Sequence, residues 1–206
     1  MPRIDRIARA ESLVAFDAPY RENGRIIAGM DEVGRGPLAG PVVACCVVMR
    51  PDSRILYVDD SKKLSEARRE ILYDDLMADA LQVGIGVVDA EEIDRVNILE
   101  ATREAMRIAA SHVKADLFLI DAVGGLGLAG TEISLIRGDA SSYSIAAASI
   151  IAKVTRDRKM REMDLLYPVY GFRRNKGYGT AEHISALKIH GPCPLHRRSF
   201  IGHFVT

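Results

Sequence analysis

The longest apolar run in the chain, at residues 41–49, has the length of a buried β-strand and no more. A membrane-spanning helix needs about 20 apolar residues, so none is expected here. Shorter apolar runs recur at residues 81–88 and 115–120, with helical patterns between them. Strands that come early and then alternate with helices predict an α/β domain built on a mixed sheet.

The hydrophobic spacing predicts a continuous series of elements. Strands are predicted at residues 25–31, 42–49, 81–88, 115–120 and 131–136, and helices at 65–80, 97–113, 141–165 and 181–189. Ser65 is expected to cap the first of these helices, because its hydroxyl can accept a hydrogen bond from an amide of the first turn. A chain of 206 residues without a Pro/Gly/Ser-rich linker indicates one globular domain.

Charge is balanced over the whole chain but unevenly distributed along it. The 28 basic and 28 acidic residues, taken alone, argue against a nucleic-acid partner. However, residues 51–104 hold 14 acidic and 7 basic residues, whereas residues 153–203 hold 4 acidic and 11 basic residues. The basic C-terminal quarter is therefore either a polyanion-binding surface or an ordinary solvated face.

The cysteines and the N-terminus indicate a cytoplasmic protein. Cys45 and Cys46 are adjacent in an apolar run and the third, Cys193, is far away, so no disulfide framework is expected. Residues 1–6 are charged and lack the apolar core of a signal peptide. The histidines are too irregularly spaced to predict a metal site, and surface or capping positions are expected for most of them.

Four acidic residues lie where ligands bind in α/β proteins, beyond the carboxyl ends of strands. Asp31 and Glu32 lie where the first predicted strand ends, Asp121 follows the strand at 115–120, and Asp139 precedes the long helix. Clustered carboxylates repel unless a cation holds them, and such oxygen ligands suit Mg²⁺ or Mn²⁺. Taken singly, Asp139 can be a helix cap and Asp121 a turn residue, so spacing alone does not decide between structure and catalysis.

Adjacent residues of a strand point to opposite faces of the sheet. Asp31 and Glu32 can therefore share one site only if the chain bends near them. The glycine loop that follows, at residues 34–40, is expected to supply that bend.

The same loop matches G-x-G-x-x-A, a form of the dinucleotide-binding fingerprint. That fingerprint requires a helix to begin in the glycine turn, whereas here a β-type run follows and two carboxylates precede. The dinucleotide interpretation is therefore rejected. What remains is a tight loop in which Gly34 and Gly36 let a ligand approach the backbone closely, with the guanidinium of Arg35 between them.

Two basic clusters are candidates for contact with phosphate. Lys62 and Lys63 precede the helix at 65–80, where they either hold phosphate or form a solvated helix entry. The second cluster alternates basic and aromatic residues, a pattern that suits phosphate contact combined with stacking. Its members are Tyr170, Phe172, Arg173, Arg174, Lys176 and Tyr178.

Several long motifs resemble the ribonuclease HII family, the type 2 ribonucleases H. They are DEVGRGPLAGPV at residues 31–42, DSKKLS at 60–65 and SIAAASIIAKV at 144–154. The tail segments YPVYGF at 167–172, KGYGT at 176–180 and HRRSF at 196–200 resemble the same family's C-terminal signature. The resemblance covers roughly residues 25–202 in the family's order. It implies a ribonuclease H-like fold, with helices flanking a mixed central sheet and a small helical C-terminal region.

The resemblance also implies the activity. The expected enzyme is an endoribonuclease that hydrolyses the RNA strand of RNA–DNA hybrids. It is also expected to nick duplex DNA on the 5′ side of single embedded ribonucleotides, leaving 5′-phosphate and 3′-hydroxyl ends. Two divalent cations, Mn²⁺ or Mg²⁺, are expected as cofactors, held by the catalytic carboxylates Asp31, Glu32, Asp121 and Asp139.

Recognition of the substrate is implied in the same way. The backbone of Gly34, Arg35 and Gly36 is expected to contact the ribonucleotide and its 2′-hydroxyl, while Tyr178 packs on the neighbouring sugar. The expected partners are RNA–DNA hybrid and ribonucleotide-containing duplex DNA, without a membrane. A cytoplasmic monomer is expected, and a replication-associated protein partner is left open. Two rival interpretations are a non-catalytic nucleic-acid-binding module and a type 1 ribonuclease H, which needs a run of ribonucleotides.

The resemblance suggests a division of the chain into three regions. Residues 1–24 are a variable extension, 25–165 a ribonuclease H-like catalytic domain, and 166–206 a basic helical region packed on that domain. In the extension, the candidate phosphate contacts are Arg3, Arg6 and Arg9. Three positions depart from the family pattern: Ala122 where glycine is common, Ser141 where a basic residue is common, and Asn175 where histidine is expected. These departures bear on metal preference, rate and phosphate affinity.

Overall fold

The computed structural model of the chain describes residues 3–58 and 64–205. Its strands are β1 (Ile27–Val33), β2 (Val42–Met49), β3 (Ala80–Val88), β4 (Leu117–Asp121) and β5 (Thr131–Leu135). They form one sheet in the order β3-β2-β1-β4-β5. The pairs β3-β2 and β2-β1 are antiparallel, whereas β1-β4 and β4-β5 are parallel, so the sheet is mixed as predicted.

Helices cover both faces of this sheet. The α-helices are α1 (Arg3–Asp17), α2 (Glu66–Asp79), α3 (Ala90–Val96), α4 (Ile98–Ser111), α5 (Tyr143–Leu166), α6 (Phe172–Asn175), α7 (Ala181–His190) and α8 (Arg198–Ile201). Short 3₁₀ segments lie at Ala18–Gly24, Gly138–Ala140 and Pro168–Tyr170. Within the described ranges, no helix is both long enough and apolar enough to cross a membrane.

Strand β2 supplies both hydrophobic layers, because alternate side chains of a strand point to opposite faces. Cys46 and its even-numbered neighbours pack in the layer that contains residues of α3 and α4. Cys45 and its odd-numbered neighbours pack in the layer with residues of α2 and α5. The two adjacent cysteines therefore point away from each other, and both thiols are free and buried, in agreement with the expected absence of a disulfide.

The α/β fold and most elements agree with the sequence predictions. Val42–Met49 has the predicted bounds, and Ser65 caps α2 by accepting a hydrogen bond from the amide of Arg68 at 3.3 Å. The first strand, predicted at residues 25–31, instead spans Ile27–Val33, so Glu32 lies within β1 together with Asp31 and not beyond it. Helices α1 and α3 were not among the predicted elements.

The C-terminal helices pack against the second half of α5 and against the loop at residues 34–40. Met160 of α5 shares a hydrophobic cluster with Ala39, Phe172 and Ala186. The carbonyl of Gly177 accepts hydrogen bonds from the amides of Leu38 and Ala39. This packing brings the tail to the same edge of the sheet as the acidic end of β1.

Candidate active site

Three aspartates from three elements meet at the carboxyl ends of β1 and β4. These strands are adjacent and parallel, with Met30 opposite Ile120, so the next residues, Asp31 and Asp121, lie side by side. The 3₁₀ turn Gly138–Ala140 brings Asp139 to the same place just before α5. One carboxylate oxygen of each aspartate lies within 4.8 Å of the other two. The structure therefore brings together three of the four predicted carboxylates.

Hydrogen bonds orient the carboxylates in this cluster. The amide of Gly138 donates to Oδ1 of Asp121 at 2.6 Å, which ties the turn that carries Asp139 to the end of β4. The amide of Glu32 donates to Oδ1 of Asp31 at 2.7 Å. The Ser149 hydroxyl on α5 also hydrogen-bonds to Asp31. The carboxylates are therefore positioned by the backbone and by α5 before any ligand binds.

Glu32, the fourth predicted carboxylate, lies beside the cluster and not within it. Asp31 and Glu32 both pair in register with β2, so the chain continues as a regular strand through these two residues. Oε1 of Glu32 is 3.5 Å from Nη1 of Arg35. Its other oxygen, Oε2, is buried and has no hydrogen-bond partner among the described residues. An acceptor of that kind is available to a cation.

The electrostatics of the cluster favour cation binding. Burial raises the pKa of Asp31 well above its usual value, and the neighbouring charges of Glu32 and Asp121 raise it further. Burial likewise raises the pKa of Glu32; the Arg35 guanidinium opposes this shift and Asp121 adds to it. Buried carboxylates that repel one another in this way become stable when a divalent cation joins them.

The glycine loop is held from inside by two buried arginines. The guanidinium of Arg156 donates to the carbonyl oxygens of Ala39, Pro41 and Lys176, at 3.1, 2.9 and 2.8 Å. That of Arg197 donates to the carbonyl oxygens of Gly34 and Arg35 at 2.6 and 3.0 Å, and to Gly40. Burial lowers the pKa of Arg156 to about 10 and of Arg197 to about 9, so both stay charged at neutral pH.

Sequence reasoning missed these two arginines, since it counted them only among the basic residues of 153–203, as part of a polyanion-binding surface or of a solvated face. Their signal is faint: Arg197 lies in the family-like motif at 196–200, Arg156 lies two residues beyond the one at 144–154, and a loop rich in glycine and proline exposes carbonyls that need donors.

Tyr178 lies beside the glycine loop. Its side chain is 43% exposed. The guanidinium carbon of Arg156 is 6.0 Å from the centre of its ring. Its amide donates to the carbonyl of Asn175, and the preceding residue, Gly177, bonds to the loop through its carbonyl. The structure thus places an exposed aromatic ring next to Gly34–Gly40.

The rest of the basic and aromatic tail does not form a stacking surface. Tyr170 and Phe172 are buried and stack on each other, with ring centres 5.3 Å apart. The ammonium group of Lys176 is used internally, donating to the Arg173 carbonyl at 2.6 Å. The stacking prediction is therefore wrong for Tyr170 and Phe172, and the phosphate prediction is wrong for Lys176, whereas Arg173, Arg174 and Tyr178 are exposed.

Two of the five histidines depart from the surface or capping positions expected for most of them. His183 and His196 are buried, and their Nε2 atoms are 3.0 Å apart. They are internal residues of the C-terminal region, whereas surface or capping positions were expected.

The remaining predicted residues have separate outcomes. Lys62 and Lys63 lie outside the described residues. Asn175 is buried and supports the tail, since its side chain donates to the carbonyl of Tyr170 and accepts from the amide of Gly177. Ala122 has φ +53°, a left-handed conformation that favours the glycine of the family pattern.

Comparisons with known proteins agree on one family. Residues 28–203 match the family model described as Ribonuclease HII. A ribonuclease HII from Lachnoclostridium phytofermentans is 54% identical over 196 residues, which are 94% of this chain and 77% of the relative.

Solved structures match over most of their length. Ribonuclease H2 from Pyrococcus horikoshii OT3 is 29% identical with a TM-score of 0.72, and the match covers 84% of this chain and 92% of that one. The RNase HII of Archaeoglobus fulgidus, solved in complex with PCNA, is 26% identical with a TM-score of 0.73, covering 84% and 94%.

Proposed function

The chain belongs to the ribonuclease HII family, and from this premise we propose that it nicks duplex DNA on the 5′ side of single embedded ribonucleotides. Members of this family are metal-dependent ribonucleases H that cleave RNA–DNA hybrids, and this chain is one of them. The proposed products carry 5′-phosphate and 3′-hydroxyl ends. The observation that carries the proposal is the convergence of Asp31, Asp121 and Asp139 within 4.8 Å.

Two divalent cations, Mg²⁺ or Mn²⁺, are proposed as the cofactors. The donor set fits them, because carboxylate oxygens are the ligands that these hard ions prefer. Asp31 and Asp121 would be the central ligands, with Glu32 and Asp139 completing the set. When bound, such ions activate a water molecule and offset the charge that develops on the scissile phosphate.

The residues of the chain keep this site ready for the substrate. Ser149 and the Glu32 amide orient Asp31, and the Gly138 amide orients Asp121. Preorganised groups of this kind need no rearrangement at the moment of reaction, which lowers the barrier. No side-chain nucleophile is required, because water supplies the attacking oxygen.

Recognition of the ribonucleotide is assigned to the backbone of Gly34, Arg35 and Gly36, with Tyr178 on the neighbouring sugar. Arg156 and Arg197 support this assignment, since they fix the loop without using its outer surface. A Cβ added at Gly36 would meet nothing within 4 Å, so a nucleotide can approach the backbone there. A 2′-hydroxyl is the group by which a protein distinguishes RNA from DNA at one position.

The localisation, the oligomeric state and the partners of the protein are also proposals. We expect a cytoplasmic monomer that acts in ribonucleotide excision from DNA, with Lys62 and Lys63 as phosphate contacts. The Archaeoglobus relative was solved with PCNA, which makes a sliding clamp a reasonable partner to test. Sedimentation of the pure protein, alone and with the clamp of its own cell, checks both the monomer and the partner.

The decisive experiment compares wild type, Asp121→Asn and Asp116→Asn on a duplex with one ribonucleotide, with Mg²⁺ or Mn²⁺. Asp116 is the matched control, because it lies at the opposite end of the same strand, is exposed and bonds to the amide of Ile26. Wild type and Asp116→Asn are expected to nick 5′ of the ribonucleotide, and Asp121→Asn to bind the duplex without nicking it. Nicking by Asp121→Asn at the wild-type rate would contradict the metal assignment.

A long RNA–DNA hybrid and an all-DNA duplex complete the assay. Cleavage of the hybrid without nicking at a single ribonucleotide would favour the substrate range of a type 1 ribonuclease H. Salt-sensitive binding without any metal-dependent product would indicate a non-catalytic binding module.

A further inference from the structure

We propose that helix α1 is a positioning element of the active site, acting through Arg9 and Asp17 on residues 138–144, the segment that carries Asp139. Helix α1 lies outside the residues that match the family model, which begins at residue 28. This inference rests on the proposed metal site, because its consequence is the placement of one of the ligands.

Arg9 holds the residue next to the metal ligand. Its Nη2 atom donates to the carbonyl oxygen of Ala140 at 2.7 Å, across 131 residues of sequence. Ala140 directly follows Asp139 and closes the 3₁₀ turn. A hydrogen bond from a guanidinium is stronger than one between neutral groups, so it restrains the backbone at this point.

Asp17 holds the other end of the same segment. Its Oδ2 atom accepts hydrogen bonds from the amide and the hydroxyl of Ser144, at 2.8 and 2.7 Å. The carboxylate is 1% exposed and lies at the N-terminus of α5, where a negative charge interacts favourably with the helix dipole. The first turn of α5 is therefore capped from a distant element as well as by its own Ser142, which accepts from the amide of Ile145.

Ser144, the residue that Asp17 holds, lies where α5 packs against β1. A Cβ added at Gly29 would lie 2.1 Å from the carbonyl carbon of Ser144, so the two backbones are in direct contact. Asp31 lies two residues beyond Gly29 on the same strand. A shift of Ser144 would thus disturb the alignment of Asp31 and Asp139 together.

These contacts give the segment 138–144 three anchors. The carboxylate of Asp121 fixes the amide of Gly138, Arg9 fixes the carbonyl of Ala140, and Asp17 fixes Ser144. Two of the three come from α1. The helix is itself seated by Leu13, which is fully buried in the layer between the sheet and α5.

The experiment measures metal affinity and local exchange in the full chain. Arg9→Ala and Asp17→Ala are compared with Arg6→Ala, a control on the same helix whose guanidinium contacts Tyr57 and not the turn. Arg9→Lys and Asp17→Asn are the conservative variants. Mn²⁺ affinity is measured by calorimetry without substrate, hydrogen exchange is followed at residues 138–144, and thermal unfolding monitors the fold.

We expect Arg9→Ala and Asp17→Ala to weaken Mn²⁺ binding about tenfold, the low end of the effect of groups that orient metal ligands. Amide exchange at 138–144 is expected to accelerate in both, and the conservative variants to recover part of the affinity. Arg6→Ala should match wild type in both measurements. If Asp17→Ala does not fold, Arg9→Ala carries the test, since its side chain is only half-buried.

Two results would overturn the inference. One is wild-type Mn²⁺ affinity and exchange in Arg9→Ala. The other is an equal loss of Mn²⁺ affinity in Arg6→Ala, in proportion to a lower unfolding temperature. That result would mean that α1 contributes only to the general stability of the fold. A wild-type chain that binds no Mn²⁺ would overturn the proposed metal site as well. Amide exchange at 138–144 still measures how firmly α1 holds this segment, because that measurement needs no metal.

Discussion

The guanidinium of Arg156 occupies the space that a side chain on Gly34 would need. A Cβ built on Gly34 would lie 2.3 Å from Nε of Arg156, and the φ of Gly34 is +98°. The glycine loop and the buried arginine are therefore one structural unit, and the arginine can donate to the carbonyls of Ala39, Pro41 and Lys176 only because residue 34 has no side chain.

Replacing Gly34 with alanine is expected to destabilise the protein by about 3 kcal/mol, the sum of backbone strain and overpacking. Gly36→Ala is the matched control, because its Cβ meets nothing within 4 Å. Chemical denaturation checks the difference. Equal unfolding free energies for the two variants would contradict the close packing of loop and arginine.

The burial of the arginines also shows where sequence reasoning reached its limit. The charge balance counts Arg156 and Arg197 among the basic residues of 153–203, a polyanion-binding surface or a solvated face, yet each donates to carbonyls more than 100 residues away in the chain. A local pattern reports charge and spacing, whereas burial depends on which loop packs on the residue. Tyr178 is exposed, so its predicted contact with the sugar, which rests on the family motif, stays a prediction.

The regular elements were more accessible to prediction. Strand β2 is uniformly apolar and is preceded by a glycine-rich loop, so its bounds follow from composition. Helix α1 was missed because its buried face consists of little more than Ala10, Leu13 and Asp17, and a buried aspartate does not signal a core position. A general rule for parallel strands places Asp31 and Asp121 together at the carboxyl ends of their strands. Asp139 reaches the same place through a turn.

The strained conformation of Ala122 predicts a stabilising substitution. Its φ of +53° costs a non-glycine residue about 1 kcal/mol. Ala122→Gly is therefore expected to raise the free energy of unfolding by about that amount, less the entropy that glycine adds to the unfolded chain. Ala129→Gly, exposed and without a positive φ, is the control and should lower it slightly. A loss of stability in Ala122→Gly would be the contrary result.

The buried histidine pair has a defined protonation pattern. The Cys193 amide donates to Nδ1 of His196 at 3.0 Å, so the proton of His196 is on Nε2, which donates to Nε2 of His183. The proton of His183 is then on Nδ1, which faces the carbonyl of Tyr178 at 2.9 Å. A second proton on either ring would put two donors face to face.

This pattern makes stability depend on pH. Burial lowers the pKa of His196 to about 4, from an ordinary 6.5, and the pKa of His183 is lowered for the same reason. Since only the unfolded chain takes up the proton, stability is intact above pH 6.5 and is lost as the pH falls towards 4. The loss due to His196 is about 3 kcal/mol.

Unfolding free energies between pH 7.5 and 4 test this dependence. His196→Gln should show a smaller loss over that range than wild type, because the residue no longer takes up a proton on unfolding. His203→Gln, at an exposed histidine, should keep the wild-type slope. If the slopes of His196→Gln and wild type coincide, the neutral pair is not the cause.

Because the carboxylates of the cluster repel one another, we expect Asp31→Asn to be more stable than wild type without metal and less stable than wild type with metal. Without a cation, Asp31 is buried against the charges of Glu32 and Asp121, so the folded state bears an unfavourable electrostatic energy. Asp31→Asn removes one of these charges while keeping an oxygen that can accept from the Glu32 amide. In EDTA this variant is expected to be more stable than wild type by about 1 kcal/mol, as is common when an active-site group is neutralised.

Saturating Mn²⁺ should reverse that order. A ligand at 100 times its Kd stabilises the protein by about 2.7 kcal/mol, and the variant with a weakened site gains less. Thermal unfolding of wild type, Asp31→Asn and the control Asp116→Asn, each in EDTA and in Mn²⁺, measures both halves of the prediction. An Asp31→Asn variant that is less stable than wild type in EDTA would show that the hydrogen bonds to Asp31 outweigh the repulsion, and the site would then be held together without a cation.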